Sequence, residues 1–149
     1  MPNHFLIIEA RFYEDIADEL VKGAIGELEK RGATFERLSV PGTLELPAAL
    51  SMALRSQAEV IRFDGYVLLG CVIRGETTHF EIVTFESARA ILRLATERSL
   101  ALGFGVLTVD NEAQAWARAS VNQGNKGAAA AAVAFDMASM REALGLTHG

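Results

Sequence analysis

The chain has 149 residues, half of them hydrophobic, enough for the core of one domain and too few for a second, so we read residues 1–149 as one unit. A formal charge of −5, with 14 basic against 19 acidic residues and no Lys or Arg cluster, argues against a nucleic-acid or anionic-membrane surface and toward a small-molecule partner met in a local pocket. No apolar run nears membrane-spanning length, and Met1-Pro2-Asn3-His4 lacks the basic segment of a signal peptide. A lone Cys71 fits a reducing compartment, so the expected location is cytoplasmic.

In chain order, His4 to Ala10 (HFLIIEA) suits a strand buried on both faces. A helical pattern follows with Ile16, Leu20, Val21, Ala24, Ile25 and Leu28 on one side, closed by Gly32. Ala33 to Val40 alternates like a second strand, Pro41-Gly42 turns the chain, and Leu46 to Leu54 is helical with Pro47 in its first turn. Gly65 to Val72 (GYVLLGCV) reads as a third, buried strand, and from His79 to Leu102 the apolar pattern is helical. Phe104 to Val109 makes a fourth strand, Asn111 to Ala119 a short helix and Asn125 to Leu144 the last helix. This alternation predicts a three-layer α/β/α sandwich on a parallel sheet of about four strands. The third helix carries an inner stripe (Phe80, Val83, Ser87, Ala88, Ile91, Leu94) and a second one (Ile82, Phe85, Leu92). The second stripe serves either another subunit or a neighbouring helix.

Ligands of an open parallel sheet bind beyond the carboxyl ends of its strands, so the loops after Ala10, Val40, Val72 and Val109 are where chemistry is expected. The third strand meets its helix at Arg74 to His79, where unpaired N–H groups and the helix dipole favour an anion beside a histidine able to move a proton. Each residue alone stays ambiguous. Phe12 could stack on a planar ring or pack at the core edge, Glu45 could act or merely cap, and His79 could be a packed or capping histidine. Arg118 could clamp a phosphate or be a solvated surface residue, and Lys126 is open in the same way. Cys71 reads most simply as a small apolar strand residue. His4 and His148 receive no role.

The order ARFY, VPGTLELP, GCVIRGETTHF, FGVLTVDNEAQAWARA and GNKG closely resembles the lumazine synthase family, from about His4 to Leu144. VPG-x-x-E-x-P together with G-x-V-I-R-G-x-T-x-H is a highly specific pair, and ARFYEDIADEL is especially like the alphaproteobacterial form. The resemblance implies a flavodoxin-like sheet and the condensation of 5-amino-6-(D-ribitylamino)uracil with 3,4-dihydroxy-2-butanone 4-phosphate to 6,7-dimethyl-8-ribityllumazine, the penultimate step of riboflavin biosynthesis. It implies no cofactor and no metal. It also implies a homopentamer with active sites between subunits.

Carried over by position, the resemblance implies that Phe12 stacks on the pyrimidine, that Thr43, Leu44 and Glu45 hold the ribityl chain, and that the backbone of Cys71, Val72 and Ile73 reads the heterocycle. Glu76 and Thr77, through their N–H groups, and Arg118 are expected on the butanone phosphate, with His79 moving protons. Phe104 matches an aromatic that covers the pyrimidine from a neighbouring subunit, and Lys126 a basic position near the site. Two departures stand out. Tyr13 replaces a frequent asparagine, and Ser120-Val121-Asn122-Gln123 replaces the turn usual in shell-forming members, which favours a free pentamer over an icosahedral 60-mer. The short stretch before the first strand fits the same expectation. A noncatalytic flavin- or lumazine-binding module on the same fold is the alternative. A signalling receiver domain is disfavoured because the third strand ends in Gly70-Cys71-Val72 without an aspartate.

Overall fold

The computed structural model describes residues 2–56 and 63–146; His148 lies outside them. The elements in order are β1 (His4–Ala10), α1 (Glu14–Lys30), β2 (Thr34–Val40), a 3-10 turn (Thr43–Glu45), α2 (Leu46–Ser56) and β3 (Gly65–Ile73). Then come α3 (His79–Arg98), β4 (Leu102–Val109), α4 (Glu112–Ala119) and α5 (Lys126–Ala143). The four strands form one sheet in the order β2-β1-β3-β4, every neighbouring pair parallel. Helices cover both faces, so the expected three-layer arrangement is what the chain adopts.

The central strands show why. In β1, Phe5 and Ile7 point to the layer formed by α1, α4 and α5, whereas Leu6 and Ile8 point to α2 and α3. In β3, Val67, Leu69 and Cys71 share the first layer while Tyr66 and Leu68 share the second. A strand that feeds two cores must be apolar at every position, and HFLIIEA and GYVLLGCV are nearly so. Truncating a fully buried member such as Leu69 to Ala would cost roughly 2–5 kcal/mol.

Helix ends follow local chemistry. The chain leaves α1 through Gly32 N–H to Glu29 O (3.0 Å) and Ala33 N–H to Leu28 O (2.9 Å). Asn111 caps α4, its Oδ1 accepting the Gln114 N–H at 2.9 Å, while Gln114 Oε1 accepts the Asp110 N–H at 2.7 Å. The boundary that differs most from the sequence pattern is the end of α3. Helix α3 stops at Arg98 because Ser99 turns left-handed (φ 51°) and Leu100 N–H bonds back to Ala95 O at 2.9 Å. Leu102 is therefore the first residue of β4, paired with Tyr66, rather than the last of the helix. Leu100-Ala101-Leu102 is too short an apolar run for periodicity to tell strand from helix.

Two edges stay open. Strand β2 is largely exposed along its length, and β4 shows its outer residues, Phe104 among them, to solvent. Helix α5 lies so close to β4 that a Cβ on Gly103 would sit 1.8 Å from the Ala130 carbonyl oxygen, a backbone atom with no freedom to yield. Ile82, Phe85 and Leu92 of the second α3 stripe are exposed, as are Val133, Met137 and Met140 on α5. Among the described residues no helix is long and apolar enough to cross a membrane.

Candidate active site

The loops leaving β1, β2 and β3 converge with the first turns of α3 on a cleft of about 360 Å³. The sheet order explains its place. The connection from β1 runs outward to β2, the next returns past β1 to β3, and the loops part over the gap between them. Phe12 and Tyr13 come from the first loop, Gly42 to Glu45 from the second, Cys71 to Ile73 from the end of β3, and His79 and Val83 from α3.

Phe12 is 72% exposed, its ring meeting Tyr13 edge-on at 4.9 Å between centroids. A core-edge packing residue would be covered, whereas Phe12 stands open at the cleft rim. Thr43 is buried, and its hydroxyl is sealed from solvent without a hydrogen-bond partner among the described residues. It lies against Gly70, where a Cβ would come within 2.9 Å of Thr43 Oγ1 and 3.2 Å of the Ala10 Cβ. Gly70 thus lets the 3-10 turn settle on the sheet, and Leu44 and Glu45 remain exposed beyond it. Burial pushes the Cys71 thiol up to about 11, which keeps it protonated and unreactive at neutral pH. Val72 and Ile73 are half-buried on the wall.

Tyr13, absent from the sequence candidates, is part of the wall. Burial raises its phenol above the ordinary range, with Cys71 adding to the rise and a hydrogen bond to the Ile73 backbone opposing it. The departure from asparagine at this position was the available signal. Gly42 and Val83 also line the cleft and gave no signal in the sequence.

His79 is the first residue of α3, exposed and facing the cleft, and its N–H donates to Thr77 Oγ1 at 3.3 Å. Among the described residues the Glu76 and Thr77 N–H groups make no hydrogen bond, which leaves both free for an acceptor beside the helix N-terminus. Arg74 ties this loop down. Its Nη1 meets Glu81 at 2.6 Å, its Nε meets Asp110 at 3.1 Å, and its guanidinium lies 4.3 Å from the Phe80 ring centre. Those carboxylates, Asp110 first, raise the Arg74 pKa.

The remaining candidates lie elsewhere. Phe104, Arg118 and Lys126 line a second groove of about 520 Å³ along the open edge of β4, with Leu92, Thr108 and Val133. Arg118 Nη1 donates to Gln114 O at 3.1 Å. Among the described residues neither Arg118 nor Lys126 has a carboxylate partner. Within one chain, then, Arg118 does not line the cleft that holds His79. Among the described residues no group of three His, Cys, Asp or Glu side chains could hold a metal ion.

The first cleft sets an exposed aromatic ring and a carboxylate beside a histidine. The second groove offers an aromatic face and two cations. A family model described as 6,7-dimethyl-8-ribityllumazine synthase matches residues 2–142. The chain is 53% identical to 6,7-dimethyl-8-ribityllumazine synthase 1 of Rhizobium meliloti, over 97% of this chain and 95% of the relative. It is 51% identical to 6,7-dimethyl-8-ribityllumazine synthase of Bartonella tribocorum (95% and 92% covered) and 50% identical to that of Agrobacterium fabrum (95% and 97% covered).

Proposed function

Since the chain belongs to the 6,7-dimethyl-8-ribityllumazine synthase family, we propose that it condenses 5-amino-6-(D-ribitylamino)uracil with 3,4-dihydroxy-2-butanone 4-phosphate, as a transferase of riboflavin biosynthesis. The carrying observation is the gathering of Phe12, Glu45, the Cys71 to Ile73 backbone and His79 around one cleft. In the reaction the 5-amino nitrogen attacks the ketone and loses a water to form an imine. A proton then leaves carbon, phosphate is expelled by elimination, and the ribitylamino nitrogen closes the ring with loss of a second water.

Holding two substrates in register supplies most of the acceleration such a sequence needs, and proton transfer adds to it. Phe12 carries the pyrimidine ring, main-chain groups of Cys71 to Ile73 read its polar edge, and Glu45 accepts hydrogen bonds from the ribityl hydroxyls. Thr43, its hydroxyl sealed, acts through its main chain, with Leu44 packing beside it. His79 takes and returns protons at the carbon and nitrogen centres. The Glu76 and Thr77 N–H groups receive the phosphate as its charge grows on departure.

The second groove completes the site from a neighbouring copy. Phe104 covers the pyrimidine, Arg118 binds the phosphate and Lys126 adds positive charge, in a homopentamer whose contacts use the α3 stripe. A ring needs two different complementary faces per subunit, and this chain leaves opposite sheet edges open, one flanked by exposed apolar helix faces. A free pentamer is favoured over a shell because the Ser120 to Gln123 turn departs from the shell-forming pattern. The single protonated thiol suits the cytoplasm.

The direct test follows lumazine formation from the two substrates above the uncatalysed background. Product above background, reduced in His79→Ala, supports the synthase. Tight pyrimidine binding with no acceleration leaves the noncatalytic module. The shared site has its own test: co-expressed His79→Ala and Arg118→Ala chains, each weak alone, should recover about a quarter of wild-type sites where neighbours complement. No recovery in mixed pentamers would place both residues in one chain's site.

A further inference from the structure

Behind the first cleft stands a buried carboxylate. Glu9, next to last in β1, is 2% exposed, and two guanidinium groups hold its oxygens. Arg37 of β2 grips both, Nε to Oε2 at 2.8 Å and Nη2 to Oε1 at 2.7 Å, while Arg11 Nη1 reaches Oε1 at 2.6 Å. The Arg11 side chain then continues to α1, with Nε to Glu14 Oε1 at 2.9 Å and Nη2 to the Asp18 carboxylate. Its own N–H donates to Val40 O at 3.0 Å. One residue therefore joins the ends of β1 and β2 to the start of α1.

The turn it spans is Arg11-Phe12-Tyr13. Phe12 is largely exposed, and its only ring contact among the described residues is the edge of Tyr13. Core packing does not hold it. We propose that Arg11 is a positioning residue that fixes the β1–α1 turn so that the Phe12 ring stands ready as the pyrimidine platform. This rests on the reading of Phe12 as that platform. A planar fork with several fixed donors can serve three carboxylates at once, which a lysine ammonium on a flexible stem cannot do in the same geometry. Losing Arg11 leaves Glu9 its two bonds to Arg37, so no uncompensated charge is left buried and the fold persists. The loss falls on the turn, whose ordering must then be completed when ligand binds. Fixing one residue's backbone corresponds to roughly a fivefold to thirtyfold factor in affinity.

The test is a double-mutant cycle on the assembled protein, reading 6,7-dimethyl-8-ribityllumazine binding by fluorescence titration together with kcat and both KM values. Arg11→Ala should weaken lumazine binding roughly fivefold to thirtyfold and raise the pyrimidine KM alike, with kcat and the butanone phosphate KM nearly unchanged. Arg11→Lys should recover only part of this. Phe12→Ala should weaken binding at least as much, and adding Arg11→Ala to it should cost nothing more. Asp18→Ala, which removes one exposed arm of the clamp, should give a smaller loss that also vanishes in the Phe12→Ala background; it decides the matter where Arg11→Ala does not fold. Additive losses, or unchanged affinity in the Arg11 and Asp18 variants, overturn the positioning role while leaving Phe12 in place. Unchanged binding in Phe12→Ala alone removes the platform, and the positioning role with it.

Discussion

The two clefts are built in opposite ways. The cleft over β1 and β3 is made within one chain: Gly70 admits the 3-10 turn, the Arg11 cluster ties down the first loop, and Arg74 ties down the third. The groove along β4 is a strand edge with helices on either side, and its cations have no carboxylate partner among the described residues. One is tied down from within the chain. The other is a surface whose charges still await an opposite. On the proposed roles, residues that handle protons and rings need fixed geometry, whereas cations that bind a phosphate gain from being left unneutralised.

Disturbing each cleft should have a different signature. The largest effect is expected from Gly103→Val, which drives a side chain into the Ala130 carbonyl and separates α5 from β4. Chemical denaturation should show a loss of about 3 kcal/mol or more. His79→Ala should keep its stability and lose turnover by roughly 10²-fold or less, since proton transfer contributes about 10²–10⁴ and alignment survives. Steady-state kinetics at saturating substrates would show it. Arg118→Ala should raise the butanone phosphate KM about tenfold or somewhat more, the scale of one charge-assisted hydrogen bond, and leave lumazine binding nearly intact. Loss of lumazine binding with an intact phosphate response would overturn the division of labour between the clefts.

The smallest effect is expected at Cys71. Cys71→Ala should change turnover less than about twofold, since the sulfur is buried and protonated. Its pH signature lies in stability. Burial pushes the folded thiol up to about 11 from its ordinary 9.0, so between those values the folded chain holds more protons than the unfolded one. Stability is therefore fully present below about 9 and falls as pH rises toward 11. Cys71→Ala should lose less than wild type over that interval in thermal melts.

Much of this was readable from the chain. The apolar runs of β1 and β3 announced strands buried on both faces, and the exposed α3 stripe was legible at helical spacing. The end of α3 was not, because a serine in the left-handed region carries no sequence mark and Leu102 fits either period. Loop positions after parallel strands located the first cleft, and the family resemblance supplied roles that spacing alone left open. Tyr13 was missed because its importance lies in burial against Cys71 and Ile73, residues about sixty positions away. The separation of Arg118 from His79 was likewise hidden, since chain order does not say on which side of a strand edge a helix will stand.

Leaving β4 as an uncovered margin has a consequence for dosage. If neighbouring copies share the site as proposed, a chain diluted below the concentration at which they meet would keep its fold and its first cleft yet lose its activity. Specific activity would then rise with protein concentration before reaching a plateau, and folding and competence would become separate thresholds.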